Sequence, residues 1–181
     1  MGEIGRAREL DPISIETSFA AAGILYYARR YDAAIAEAQK ALDMDPNFPL
    51  AYRFLGRAAL EKGLYEDAIA AFRRGIALRS APQMKVDLAH AYAISSQQSE
   101  ARKVLDEFKE DLSRGNHVSP YDMAILHLDL GETDQALEWL EKSYAERERA
   151  IVRLKVIPDV DPLRSDPRFA ELIQHVGLWQ K

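Results

Sequence analysis

The chain has no cysteine. That absence removes disulfide staples, thiolate zinc sites and a cysteine nucleophile, along with any cysteine signal of redox compartment. No apolar run is long enough to cross a bilayer, and acid already stands at Glu3, so neither a membrane span nor a signal peptide is expected. Excess basic charge is lacking too: 24 lysines and arginines face 29 acids, for a net charge of −5. With no overall basic field to draw it to phosphate backbones or anionic lipid, the chain is expected to bind neither nucleic acid directly nor membrane. A cytoplasmic location is the expectation. Aromatics are few, at 9%, yet 48% of the 181 residues are hydrophobic, enough to bury the core of one domain or one short array.

Local signatures of chemistry are also missing. There is no Gly-rich phosphate loop, no His-Glu-x-x-His and no Gly-x-Ser-x-Gly, so no enzyme, cofactor or metal site is expected. His127 and Asp129 are two apart, and side chains at that spacing diverge on a helix, which makes a poor ligand pair. His117 beside Asn116 reads as a turn residue, and His175 as a surface position. The acids Asp106, Glu107, Glu110 and Asp111 read as a solvated helix face, and Glu146 to Arg149 as an exposed helix end.

What is present is a repeat. Ala34, Ala68, Ala101 and Ala136 each open a helical stretch at the same relative place, at spacings of 34, 33 and 35 residues. A period of that size marks a solenoid of stacked units, not a pocket-centred domain. Shifting by 34 lays Lys40-Ala41-Leu42-Asp43-Met44-Asp45-Pro46 over Arg74-Gly75-Ile76-Ala77-Leu78-Arg79-Ser80. Pro46 cannot continue a helix and pushes Asp45 out of the helical region, so the unit ends there.

Within each unit two helical patterns flank a short break: Arg29 to Asp32, Lys62 to Tyr65, Ser95 to Gln98, and Leu130 to Thr133. Breaks that short force antiparallel neighbours. In the second unit, Tyr52, Leu55, Gly56 and Ala59 form one stripe and Ala68, Phe72, Gly75 and Ile76 another, so the two stripes are expected to face each other. Gly56 and its counterparts Ala22, Ala89 and Ala124 let backbones approach while Phe72 or Leu105 fills the space beside them.

These residues, Leu55-Gly56 and Ala68 above all, resemble the tetratricopeptide repeat. The resemblance implies an all-α, right-handed superhelical solenoid of antiparallel helix pairs, with four repeats and a C-terminal capping helix. The expected boundaries are a remnant helix of a preceding repeat at 1–12, repeats at 13–46, 47–80, 81–115 and 116–148, and a proline-rich linker with a capping helix at 149–181. In that tail, Asp166-Pro167 reads as an N-cap and first helical position, and Leu163, Phe169, Leu172 and Val176 suit a cap. Trp139 to Tyr144 followed by Asp161 to Phe169 is also similar to the C-terminal repeat region of bacterial multi-domain regulators, where it follows a winged-helix, kinase or cyclase domain.

Because residues 3–11 match a second helix whose partner would precede Met1, the chain reads as starting in mid-repeat, which predicts fraying or a homodimer through that uncapped end.

The resemblance implies that first helices line a concave groove. The stripe expected there is Phe19, Gly23 and Tyr26, then Arg53, Arg57 and Leu60, then Val86 and His90, then Tyr121, Ile125 and Leu128. Arg53 and Arg57, four apart, are expected to point both guanidiniums into the groove toward an acidic peptide segment, unless they pair with Glu16 or Glu61 instead. The lysine and asparagine clamp that some relatives use for a terminal carboxylate has Phe19 and Gly23 in its place. The expected function is therefore a non-catalytic protein- or peptide-binding scaffold. The alternatives are a self-association element or a regulatory fragment of a larger bacterial signalling or transcription regulator.

Overall fold

The structure, a computed structural model, describes residues 14–178. The remnant helix expected at 1–12, and the dimer through it, lie outside the described residues. The chain divides into two compact units, Met1–Ala91 and Tyr92–Lys181. The first contains α1 (Ile15–Tyr27), α2 (Tyr31–Met44), α3 (Pro49–Glu61) and α4 (Tyr65–Leu78). Helix α5 (Pro82–Ile94) runs across the boundary. The second unit continues with α6 (Gln98–Ser113), α7 (Pro120–Asp129) and α8 (Thr133–Ala145), then two 3-10 helices (Arg149–Arg153 and Pro158–Leu163) and α9 (Pro167–Leu178). No strand occurs among the described residues.

Helix starts follow their sequence signals. Ser14 and Ser119 cap α1 and α7, their side-chain oxygens accepting from the backbone N–H of Thr17 and Asp122. Proline opens α3, α5, α7 and α9, where its missing N–H costs nothing and its fixed φ suits the first turn. Asp45, before Pro46, takes an extended conformation (φ −142°, ψ 100°) that stops α2, as expected.

The turn inside each unit is one motif built four times. Arg29, Gly63, Ser96 and Gly131 have positive φ values of 57°, 75°, 65° and 76°, at the same 34, 33 and 35 spacing as the marker alanines. After each, an N–H reaches back five residues: Arg30 to the Leu25 carbonyl, Leu64 to Ala59, Gln97 to Tyr92 and Glu132 to His127, at 2.7–3.0 Å. The left-handed residue itself donates to the carbonyl three back, which completes a Schellman stop and uses carbonyls that a helix end leaves orphaned. Glycine takes this conformation freely; Arg29 and Ser96 adopt it against their Cβ.

Packing carries the rest. Ala34, Ala68, Ala101 and Ala136 are all buried at 0–1% exposure. A Cβ added to Gly56 would stand 2.6 Å from the Phe72 ring, so the glycine is the seat on which that fully buried ring rests. Burying a phenylalanine contributes about 2–3 kcal/mol. Gly23 plays the same part for Phe54, with a clearance of 2.9 Å.

The tail departs from a linker. Its two 3-10 helices and the residues between them bury Ile151, Leu154, Ile157 and Val160. The spacing of these residues fits a tight three-residue turn in a stretch where Pro158 and Pro162 forbid a continuous α-helix. Asp166 Oδ1 accepts from the Arg168 N–H at 2.8 Å, the N-cap contact read from the sequence. Leu163, Phe169, Leu172 and Val176 are buried, and α9 packs on α8 and the first 3-10 helix.

Candidate functional site

Helix α3 places Arg53 and Arg57 one turn apart, and both meet Asp87 of α5. Arg53 Nε donates to Asp87 Oδ2 at 2.5 Å, and Arg57 Nη1 stands 3.3 Å from Oδ1. Arg57 also donates from Nη2 to the Tyr26 hydroxyl at 2.9 Å, and its guanidinium stacks 4.6 Å above the Tyr26 ring. Cation–π contact and charge-assisted bonding together hold a buried cation that water no longer solvates. Burial pushes the Arg53 pKa down, but Asp87 beside it outweighs that effect and raises it on balance, so the side chain stays charged.

The two arginines differ in access. The Arg57 side chain is 6% exposed and Asp87 7%, whereas Arg53 keeps 23%. The expectation that both guanidiniums reach outward is thus corrected: Arg57 is committed to Tyr26 and Asp87, and Arg53 alone retains surface. The acid shown between the arginines is Asp87, where the sequence suggested Glu16 or Glu61.

Of the other residues expected in the groove, Tyr26, Leu60, Val86, Tyr121 and Ile125 are buried. Phe19 and His90 are half-buried. Phe19 belongs to an aromatic chain, with ring centroids 5.5 Å from Phe48 and 5.4 Å from Phe54, while Tyr27 stands 6.4 Å from Phe54. These half-buried rings occupy α1, α3 and the residue preceding α3.

Asp87 escaped the sequence reading, and a signal for it existed. It lies 34 residues after Arg53, one period, and residues one period apart on successive first helices become neighbours. Opposite charges at that separation mark an ion pair.

The second unit has its own polar cluster. Buried His127 on α7 brings Nδ1 to 2.5 Å from Glu132 Oε2, and Arg102 of α6 pairs with Glu132 Oε1 at 2.6 Å. Burial pushes the Glu132 carboxyl up, but hydrogen bonds from Arg102 and His127 outweigh it and lower the pKa from 4.5. Glu148, expected on an exposed helix end, instead accepts from the Tyr121 N–H at 2.9 Å and the Ser143 hydroxyl at 2.6 Å. It ties the end of α8 to the start of α7. Among the described residues no cluster of potential metal ligands occurs, and no helix is long and apolar enough to cross a membrane.

Fold and site together define a helical-repeat protein. Residues 19–85 match the tetratricopeptide repeat family model. Small glutamine-rich tetratricopeptide repeat-containing protein 2 of Mycosarcoma maydis is 35% identical over 72 residues, covering 40% of this chain and 20% of that protein. The chain therefore spans about a fifth of the length of this curated relative. Among solved structures, TTC0263, a thermophilic TPR protein of Thermus thermophilus, is similar with a TM-score of 0.64 and 16% identity, over 96% of this chain and 87% of that one. YrrB, described as a TPR protein with an unusual peptide-binding site, is similar with a TM-score of 0.52 and 15% identity, over 96% and 90%. At those identities the likeness establishes the fold. Residues 19–85 thus match the tetratricopeptide repeat, and the described helices have the fold of such repeat proteins.

Proposed function

We propose that this chain is a non-catalytic protein- or peptide-binding module whose first-helix face takes an acidic group of the partner at Arg53. In this reading four repeats, at 13–46, 47–80, 81–115 and 116–148, are closed by residues 149–181. The observation that carries the proposal is the asymmetry of the arginine pair: Asp87 and Tyr26 hold Arg57 inside, while Arg53 is anchored at Nε and still 23% exposed. A guanidinium fixed in this way loses little side-chain entropy on meeting a carboxylate, and half-buried Phe54, next to it in the chain, with Phe19 5.4 Å from Phe54, adds apolar surface on the first helices. The peptide-binding site named for YrrB supports the reading by analogy.

Selection from a displayed random-peptide library against the full chain tests it. Enriched peptides should share an aspartate, a glutamate or a free C-terminus, and Arg53→Gln should weaken them about tenfold, the cost of one charge-assisted hydrogen bond, in a chain that still unfolds cooperatively with its melting transition lowered by the lost Asp87 contact. Enrichment of peptides without an acidic group, or affinity indifferent to Arg53→Gln, would reject the assignment.

A further inference from the structure

Four positions of this chain are equivalent by hydrogen bonding. Leu25, Ala59, Tyr92 and His127 each give their carbonyl to the N–H five residues on, and each stands nine residues before its marker alanine. Three carry large side chains, and those of Tyr92 and His127 are buried. The fourth is alanine. There the structure opens a cavity of about 400 Å³, lined by Ile35 of α2, Tyr52, Leu55 and Ala59 of α3, and Leu64 and Asp67 at the start of α4, among others. That volume falls within the range of small-ligand sites, and its lining is largely apolar. Leu64 remains 43% exposed beside it. Tyr52, Leu55 and Ala59 lie one residue before Arg53, Gly56 and Leu60, which at about 100° per residue turns the cavity onto a different face of α3 from Arg53.

We infer that this cavity is a socket for a partner's aromatic side chain, presented by a peptide segment with a lysine or arginine next to the aromatic residue. Size and apolarity argue for the ring. The vacancy sits at the position that Tyr92 holds in the following repeat, so a ring entering from outside replaces one that two of the other three repeats supply from within. Charge argues for the neighbour. Asp67 carries the charge of the lining and is exposed at the first turn of α4, where a basic group is complementary to it. An aromatic anchor in a pocket beside one charged contact is a common energetic core of recognition. The socket lies beyond the Arg53 face, and either can fail without the other.

The test is an NMR titration of the full chain with Ac-Gly-Trp-Lys-Gly-NH2, following the amides of Ala59, Ala70 and Ala71. Saturable shifts are expected there. Ala59→Tyr, which copies position 92, should abolish them while the melting transition stays in place; should that variant unfold, Ala59→Leu, which copies position 25, makes the same comparison. Asp67→Asn, or exchange of the peptide's lysine for glutamate, should weaken binding about two- to fivefold, as befits a single exposed ion pair. Shifts that survive in a folded filled variant overturn the inference. So does the absence of saturable shifts, or binding of free tryptamine when the peptide does not bind.

Discussion

The turns at Gly63 and Gly131 share a left-handed glycine and the same two hydrogen bonds, yet the residue whose carbonyl closes the first is Ala59 and the second His127. In the N-terminal unit the small side chain leaves a cavity. In the C-terminal unit the imidazole fills the place and meets Glu132, which Arg102 holds in turn. Backbone geometry in these repeats is set by turn chemistry and helix stops. What each unit offers to a ligand is set by the side chains hung on a shared frame. Charge differs as well: residues 14–91 carry ten lysines and arginines against nine acids, and residues 92–178 eleven against seventeen. An acidic partner segment is repelled less by the first unit, where Arg53 lies.

The ion pairs of the two units sharpen the contrast. Asp87 is buried between two arginines, so Asp87→Ala strands the Arg57 cation and should cost about 3 kcal/mol in denaturant unfolding. Glu132 is 25% exposed, and Glu132→Gln should cost about 1 kcal/mol or less, because water reaches what remains. Equal losses would erase the distinction between the units.

The marker alanines provide a control that treats both units alike. Ala68→Leu and Ala136→Leu insert bulk at positions with no exposure and should each lower stability by about 1–3 kcal/mol through overpacking. A variant that unfolds like its parent would show that its repeat is loosely packed.

Acid probes the ion pair of the second unit. The folded-state pKa of Glu132 lies below 4.5, so its contribution is fully present above that value and fades as pH falls through the folded pKa. Acid titration followed by the Trp139 signal of the second unit should show that loss, and Glu132→Gln should flatten the profile. A profile unchanged by the substitution would mean that the carboxylate contributes nothing to folding.

The smallest effect concerns the two turns without glycine. Ser96→Gly relieves a left-handed serine and should raise stability by about 0.5 kcal/mol, whereas Gly63→Ala should lower it by about 1 kcal/mol. Opposite signs, read from paired melts, check that the four turns are one motif.

Much of the fold was legible in the residues because periodicity is a one-dimensional signal. The marker alanines, the breaks at Gly63 and Gly131, the stop before Pro46 and the cap at Asp166 each act over a few residues. The 3-10 helices after Arg149 were less legible, since a three-residue turn between prolines imitates a linker until its apolar residues are seen packed. The site was read only in part. Helical spacing put Arg53 and Arg57 on one stripe, but spacing on one helix cannot say which of two neighbours is covered. That depends on Tyr26 and Asp87, brought in from helices before and after α3. The socket at Ala59 was invisible for a related reason: a missing side chain leaves no motif, and it emerges only when four equivalent carbonyls are compared.

The most direct test of the Arg53 assignment is a spectrum of the arginine Nε–Hε groups of the full chain, recorded while a selected acidic peptide is titrated in. The Arg53 resonance is expected to move saturably, with the same dissociation constant as the backbone shifts around α3. An Arg53 signal that stays in place while the peptide binds would contradict the assignment.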